Sequence, residues 1–306
     1  MLHTAHFYVD LTSEELQFLE SNLGISYDYL GSKADKYANG FTSWVTKGYG
    51  LRLHFVIDFI KLLNKETINE SDYSRVEKKI QGYFLFLFQD MSFSERVVMI
   101  RMDYRLDVKL TKEQRRLVMF LYKKTAEKYR HQKKYDQHQT TVYFNSKSVQ
   151  GTCYDKEEEV IAKGRKIQPF EKDVLRFEVR LQNRHLKHMK YKKGKAKWLQ
   201  EYFQQALFEK YMQQYLGKLV HKGDYYKINK AKNIIKESHF KVNEKQQLIV
   251  FLSYVSRNGI EKAKKRYSRY LFKKSILQLE ILNINPILIP KNRRDFPSFL
   301  KNPFNI

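Results

Sequence analysis

The chain has 306 residues, 58 Lys and Arg against 33 Asp and Glu, and 42% hydrophobic side chains. That is enough for one large domain or two ordinary ones, and too apolar for a disordered polycation. A single cysteine excludes a disulfide framework and a multi-cysteine zinc site. No apolar run approaches the ~18–20 residues of a membrane span, and the opening Met1-Leu2-His3-Thr4 lacks the basic and apolar regions of a secretory leader. The expectation is a soluble protein of a reducing cytoplasm.

Residues 1–100 carry 10 basic and 13 acidic side chains, and the remainder 48 and 20. The surplus gathers at 123–134, 184–197 and 261–274, where Tyr and Arg are interleaved with Lys. Such asymmetry is the footprint of a polyanionic partner. The competing reading is a set of solvated helix faces, but interleaved aromatics suit stacking on bases and favour nucleic acid over an acidic membrane surface.

In chain order, Ala5–Leu11 reads as a strand, and Thr12-Ser13-Glu14-Glu15 as a capping box opening a helix through Leu23. Leu51–Ile60 reads as a buried strand. Ser71 is the expected cap of a helix to about Phe88, with Val76, Ile80, Tyr83, Phe84 and Leu87 on one face. Arg101–Leu110 alternates with period two, Arg101, Asp103, Arg105 and Asp107 opposing Met102, Tyr104, Leu106 and Val108. Thr111 with Gln114 opens a further helix. Thr140–Lys156 reads as a hairpin turning at 145–148, its second arm placing Thr152, Tyr154 and Lys156 on one side. Leu175–Gln182 again alternates, with Arg176, Glu178, Arg180 and Gln182 on its polar face. Beyond about residue 195 the period becomes helical: an apolar stripe from Trp198 to Leu219, then helices over 227–237, 245–256 and 261–282, with Gly259 as a break. Four of the five prolines fall in 286–303, which predicts an irregular tail.

The fold class expected is therefore α+β: a domain over 1–190 with a central antiparallel sheet flanked by helices, an all-helical domain over 191–285, with a helix-turn-helix type as one reading, and a proline-containing tail over 286–306. No nucleotide-binding G-x-x-x-x-G-K-[ST] loop and no H-E-x-x-H motif is present. The pairs His3/His6 and His185/His188 read as surface or phosphate-contacting residues. Cys153 falls on the apolar side of its strand, where a thiol is inert. The carboxylates Asp103 and Glu178, flanked by Arg101, Arg176 and Arg180, allow two readings, a cross-strand ion lattice or a site for Mg²⁺ or Mn²⁺. Tyr154 is a candidate nucleophile. Lys156, two residues on, would favour its phenolate and hold a phosphate.

Three blocks, Ile100–Leu110 (IRMDYRLDVKL), Thr140–Val160 (TTVYFNSKSVQGTCYDKEEEV) and Val174–Lys187 (VLRFEVRLQNRHLK), with a looser one at Leu51–Tyr73, resemble the phage and plasmid replication initiation proteins typified by the gene II/X product of filamentous bacteriophages. The resemblance spans most of residues 1–190. It implies a rolling-circle initiator: a site-specific single-strand DNA endonuclease and ligase acting on a phage or plasmid origin. In that scheme Tyr154 becomes joined to the 5′-phosphate, and Asp103 and Glu178 hold the divalent ion; His54, in the strand LRLHFVIDF, reads either as a third ligand or as a buried structural histidine. The wider superfamily's His-hydrophobic-His pair is absent. Expected DNA contacts are Arg101, Arg105, Arg176, Arg180, Arg184, Lys187, Lys192, Lys193, Lys264, Lys265, Arg266 and Arg269. Expected partners are double- and single-stranded origin DNA and a host helicase and polymerase, in a bacterial cytoplasm. A conjugative mobilisation relaxase, a non-catalytic DNA-binding regulator and, further off, a tyrosine recombinase are the alternatives.

Overall fold

The computed structural model describes residues 2–30, 39–48, 50–126, 141–145, 147–217 and 220–304. Side chains at 124–126 and 143–145 are outside that description, so most of the basic stretch 123–134 and the side chain of Tyr143 lie outside it. Seven strands form one antiparallel sheet: β1 (Leu2–Leu11), β2 (Phe41–Gly48), β3 (Gly50–Asp58), β4 (Val98–Lys109), β5 (Thr141–Asn145), β6 (Val149–Asp155) and β7 (Val174–Gln182), in the order β2-β3-β1-β4-β7-β6-β5. The α+β class is as expected. Among the described residues no helix is long and apolar enough to cross a membrane.

Contacts divide the chain into two compact units, one of residues 1–106, 146–151 and 178–212, the other of 107–145, 152–177 and 213–306. In the first, α1 (Ser13–Leu23) starts at the reciprocal Thr12/Glu15 capping box, as read from sequence, and ends on Gly24 with φ +62°. β3 is shorter than expected. Its burial alternates rather than being continuous, with Leu53, Phe55 and Ile57 inward and Arg52, His54 and Val56 half-buried on the other face. Asp58 then caps α2 (Phe59–Leu63). The long helix α3 (Tyr73–Phe88) buries the five side chains its spacing predicts. Its entrance, however, is a 3-10 turn closed by Asn69 and Asp72, and Ser71 donates to Asn69 instead of capping. The core beneath is aromatic, with Phe41 stacked on Tyr83 at 4.2 Å and Phe88 on Phe93 at 4.0 Å. The single stripe expected from Trp198 onward is broken into α7 (Leu199–Tyr202) and α8 (Gln205–Met212), and Trp198 itself is exposed. Before them α6 (Asn183–Lys193) ends on Gly194.

In the second unit α4 (Lys112–Ala126) buries Leu117, Val118, Leu121 and Tyr122, and α5 (Lys156–Ala162) follows β6 without a linker. Four helices come after: α9 (Ile228–Glu237), α10 (Val242–Asn258), α11 (Ile260–Arg266) and α12 (Arg269–Ile281). The helix expected over 261–282 is split at Tyr267-Ser268, where Ser268 caps α12. The proline-containing tail has little regular structure but is not loose. Ile287, Leu288, Ile289, Leu300 and Phe304 are buried, and β9 (Phe299–Leu300) pairs with β8 (Tyr225–Tyr226). Buried Asn285 and Asn302 donate to the Val220, His221 and Gly223 carbonyls, fixing backbone that no helix or sheet satisfies.

Candidate active site and nucleic-acid interface

In the first unit the polar faces of β1, β4 and β7 carry the residues singled out by alternation. Strand β1 pairs with β4 through a bulge: Leu2 lies opposite Tyr104 and Thr4 opposite Asp103, so His3 is the extra residue. A bulge re-aims side chains. Here His3 and Thr4 are both half-buried where strict alternation would send one of them to the core. Thr4 Oγ1 donates to Asp103 Oδ2 at 2.7 Å, while His3 Nδ1 lies 3.1 Å from Glu178 Oε1 without completing a hydrogen bond.

Asp103 is 1% exposed. Arg180 Nε donates to both of its oxygens at 3.1 Å, and Arg101 Nε lies 3.3 Å from Oδ1. Burial lowers the Arg101 guanidinium from the usual arginine range; Asp103 and Glu178 oppose that shift and Arg180 adds to it. Asp103 is thus engaged by Thr4, Arg180 and Arg101. The expected ligand trio Asp103, Glu178 and His54 is not gathered, and among the described residues no three acidic, His or Cys side chains surround one point. His54 turns to His6 instead, with Nδ1 3.2 Å from His6 Nε2, and its ring lies nearly parallel to Trp44, centroids 5.5 Å apart. Burial, then His54 and Arg101, bring the His6 imidazole down to about 4. The donor set that suits a divalent ion is Glu178 with His3, one carboxylate and one buried nitrogen without a hydrogen bond. Such an ion takes few protein ligands and completes its shell with water and phosphate oxygen.

In the second unit Tyr154 is half-buried on β6, one position before the strand ends. Its neighbour Cys153 is buried against Met119, and burial followed by Asp155 raises its thiol well above the usual range, in keeping with an inert side chain. Asp155 caps α5 by accepting from the Glu157 and Glu158 amides. It is held in turn by Arg115, whose guanidinium also reaches Glu157, Asp173 and the Leu110 carbonyl at 2.7–2.9 Å. Lys156 is therefore the first residue of a helix. It does not continue the Tyr154 face of the strand, and its buried ammonium lies 2.7 Å from Glu159 and 3.4 Å from Glu171. The signal was present in sequence: Asp155 with Glu157, Glu158 and Glu159 in the turn after it marks a helix start. Arg115, Thr4 and the His3 bulge carried no such signal.

The expected DNA contacts divide by burial. Arg105 is buried and donates to the Glu66 carbonyl, and Arg176, 2% exposed, is bidentate to Asp107 at 2.7 and 2.8 Å. Both are interior residues, each satisfied by its own partner. Arg101 and Arg180 are half-buried, and Arg184, Lys187, Lys192, Lys193, Lys264, Lys265, Arg266 and Arg269 are exposed.

Residues 73–205, the span holding Asp103, Tyr154, Lys156 and Glu178, match a family model for replication-associated proteins. That model describes the N-terminal region of the phage gene II replication-associated protein, and over this span the chain is similar to replication proteins of the filamentous-phage gene II type. No curated protein and no solved structure matches the chain.

Proposed function

We propose that the chain is a rolling-circle initiator that nicks and rejoins one strand of a phage or plasmid origin through Tyr154. The Tyr154 oxygen attacks the scissile phosphorus, a bond forms between phenol oxygen and the 5′-phosphate, and the bond to the 3′-oxygen breaks. The 3′-oxygen leaves as a hydroxyl able to prime synthesis. In the reverse step a 3′-hydroxyl attacks the phosphotyrosine, closes the strand and returns the proton to the phenol. The covalent link conserves the phosphodiester energy, so no nucleotide cofactor is required for rejoining. The half-buried place of Tyr154, on a strand end clamped by the Arg115–Asp155–α5 arrangement, supports this role: a nucleophile needs a fixed position and an accessible oxygen. Lys156, tied to Glu159 and Glu171, steadies the turn that follows it. Glu178 and His3 would hold Mg²⁺ or Mn²⁺, which supplies charge stabilisation at a phosphate oxygen. Arg180 and Arg101 orient Asp103 beside them. Synthesis then calls for a host helicase and polymerase.

The test is a search for a covalent protein–DNA adduct after incubation with Mn²⁺ and supercoiled DNA of the element that encodes the chain, followed by peptide mapping. The expected adduct sits on the peptide containing Tyr154 and is 5′-linked. Tyr154→Phe should remove it and leave duplex affinity within about twofold, since one phenol hydroxyl contributes little to a many-phosphate contact. An adduct on another peptide would reassign the nucleophile, and the absence of any adduct would leave a DNA-binding regulator.

A further inference from the structure

Helices α10, α11 and α12 form a three-helix arrangement in which α10 packs against both of the others and those two touch each other. The shared core is Leu248, Phe251, Leu252 and Val255 of α10, Ile260 and Ala263 of α11, and Leu279 of α12. Phe251 meets Tyr267 and Phe272 edge-on at 5.2 and 5.8 Å. Gly259, at φ +82°, turns α10 directly into α11, and the Tyr267-Ser268 turn links α11 to α12, with Ser268 Oγ accepting from the Leu271 amide. The pair is densely cationic. Lys262, Lys264, Lys265 and Arg266 on α11 and Arg269 and Lys273 on α12 are all exposed, with the Arg266 guanidinium lying over Tyr254 of α10. Among them stand two large side chains that a merely solubilising face would not display, Tyr270 at 72% exposure and Leu271 at 43%.

We propose that this pair is a helix-turn-helix reader of double-stranded DNA, with α12 as the helix that enters the major groove. In that motif the second helix presents its N-terminal residues to base edges while the neighbouring helices lie along the phosphates. The first turn of α12 offers Arg269, whose fork matches guanine, and Tyr270 and Leu271, whose apolar surfaces suit thymine methyl groups. The lysines of α11 and Lys273 are placed for phosphate. The turn is tighter than the usual ~3–4 residues, but the capped start of α12 meets the same need. This deepens the reading of the chain as an origin-acting protein by naming the element that selects the duplex, and it is tested without any cleavage readout.

The full chain is used to select binders from a pool of random duplexes about 30 base pairs long, enough for roughly three helical turns. Affinities for the selected duplex and for its separated strands are then measured across a salt series. Wild type should enrich a short consensus. R269A/Y270A/K273A, which removes side chains outside the shared core, should enrich none. It should bind the selected duplex at least about tenfold more weakly, with a log–log salt slope smaller by about 2, and bind single strands within about twofold. R269K keeps the charge and loses the fork, so it should keep the salt slope and lose enrichment. Enrichment of one consensus by all three proteins, or of none by wild type, would overturn the proposal. Because no phosphodiester is broken, failure here is separate from failure of the tyrosine mechanism.

Discussion

His6 shows how neighbours decide the chemistry of a side chain that sequence marks only as polar. Its Nε2 faces His54 Nδ1 at 3.2 Å, Trp44 lies beside both rings, and Arg101 adds positive charge. Its folded value of about 4 lies below the ordinary 6.5, so between those values the unfolded chain holds more protons than the native one. Stability from this group is present above about pH 6.5 and is lost as the pH falls to about 4. The side chain is partly solvated, so the loss is on the order of 1–2 kcal/mol rather than the full value of the shift. His6→Gln should flatten that part of the stability profile in denaturant titrations between about pH 4 and 7. An unchanged profile would place the acid sensitivity elsewhere, as at His221, which burial also lowers to about 4.

At the scale of elements, the junction from β6 to α5 depends on one buried cation. Arg115 is 2% exposed and bridges Asp155, Glu157 and Asp173, joining the end of β6, the first turn of α5 and the residue before β7. Removing it strands buried carboxylate charge. Arg115→Leu should therefore cost about 3–5 kcal/mol in urea unfolding, and Arg115→Lys should recover little, because a point charge cannot replace a fork with several partners. A cost below about 1 kcal/mol would show that solvent already screens the cluster. The same substitution should lower adduct formation at Tyr154 if the clamp positions that side chain.

For the whole molecule, the segment after α12 is part of the second unit's core. Phe304 meets Phe177 edge-on at 5.2 Å, Leu300 pairs opposite Tyr225, and Gly223, at φ +86°, lets the backbone approach Ile284 so closely that a side chain would collide. Removing residues 286–306 should strip this cover from Tyr225 and Phe177. The expected results are a lower melting temperature by calorimetry and faster proteolysis within 213–285. Unchanged melting would make the tail a passive covering.

Much of the element pattern was legible locally. The Thr12/Glu15 box, the apolar face of α3, the Gly259 break and the alternation of β4 and β7 all follow from interactions within a few residues. The charge asymmetry and the blocks that resemble the gene II type likewise need no coordinates. What sequence could not reveal was the environment of each face. Period-two alternation states which side chains lie together and is silent on what covers them. Arg105 and Arg176 thus turned inward, Asp103 became enclosed by arginines, and a bulge no pattern announces brought His3 to Glu178. Those outcomes depend on long-range pairing, where the cost of burying a charge is met only by partners far away in the chain.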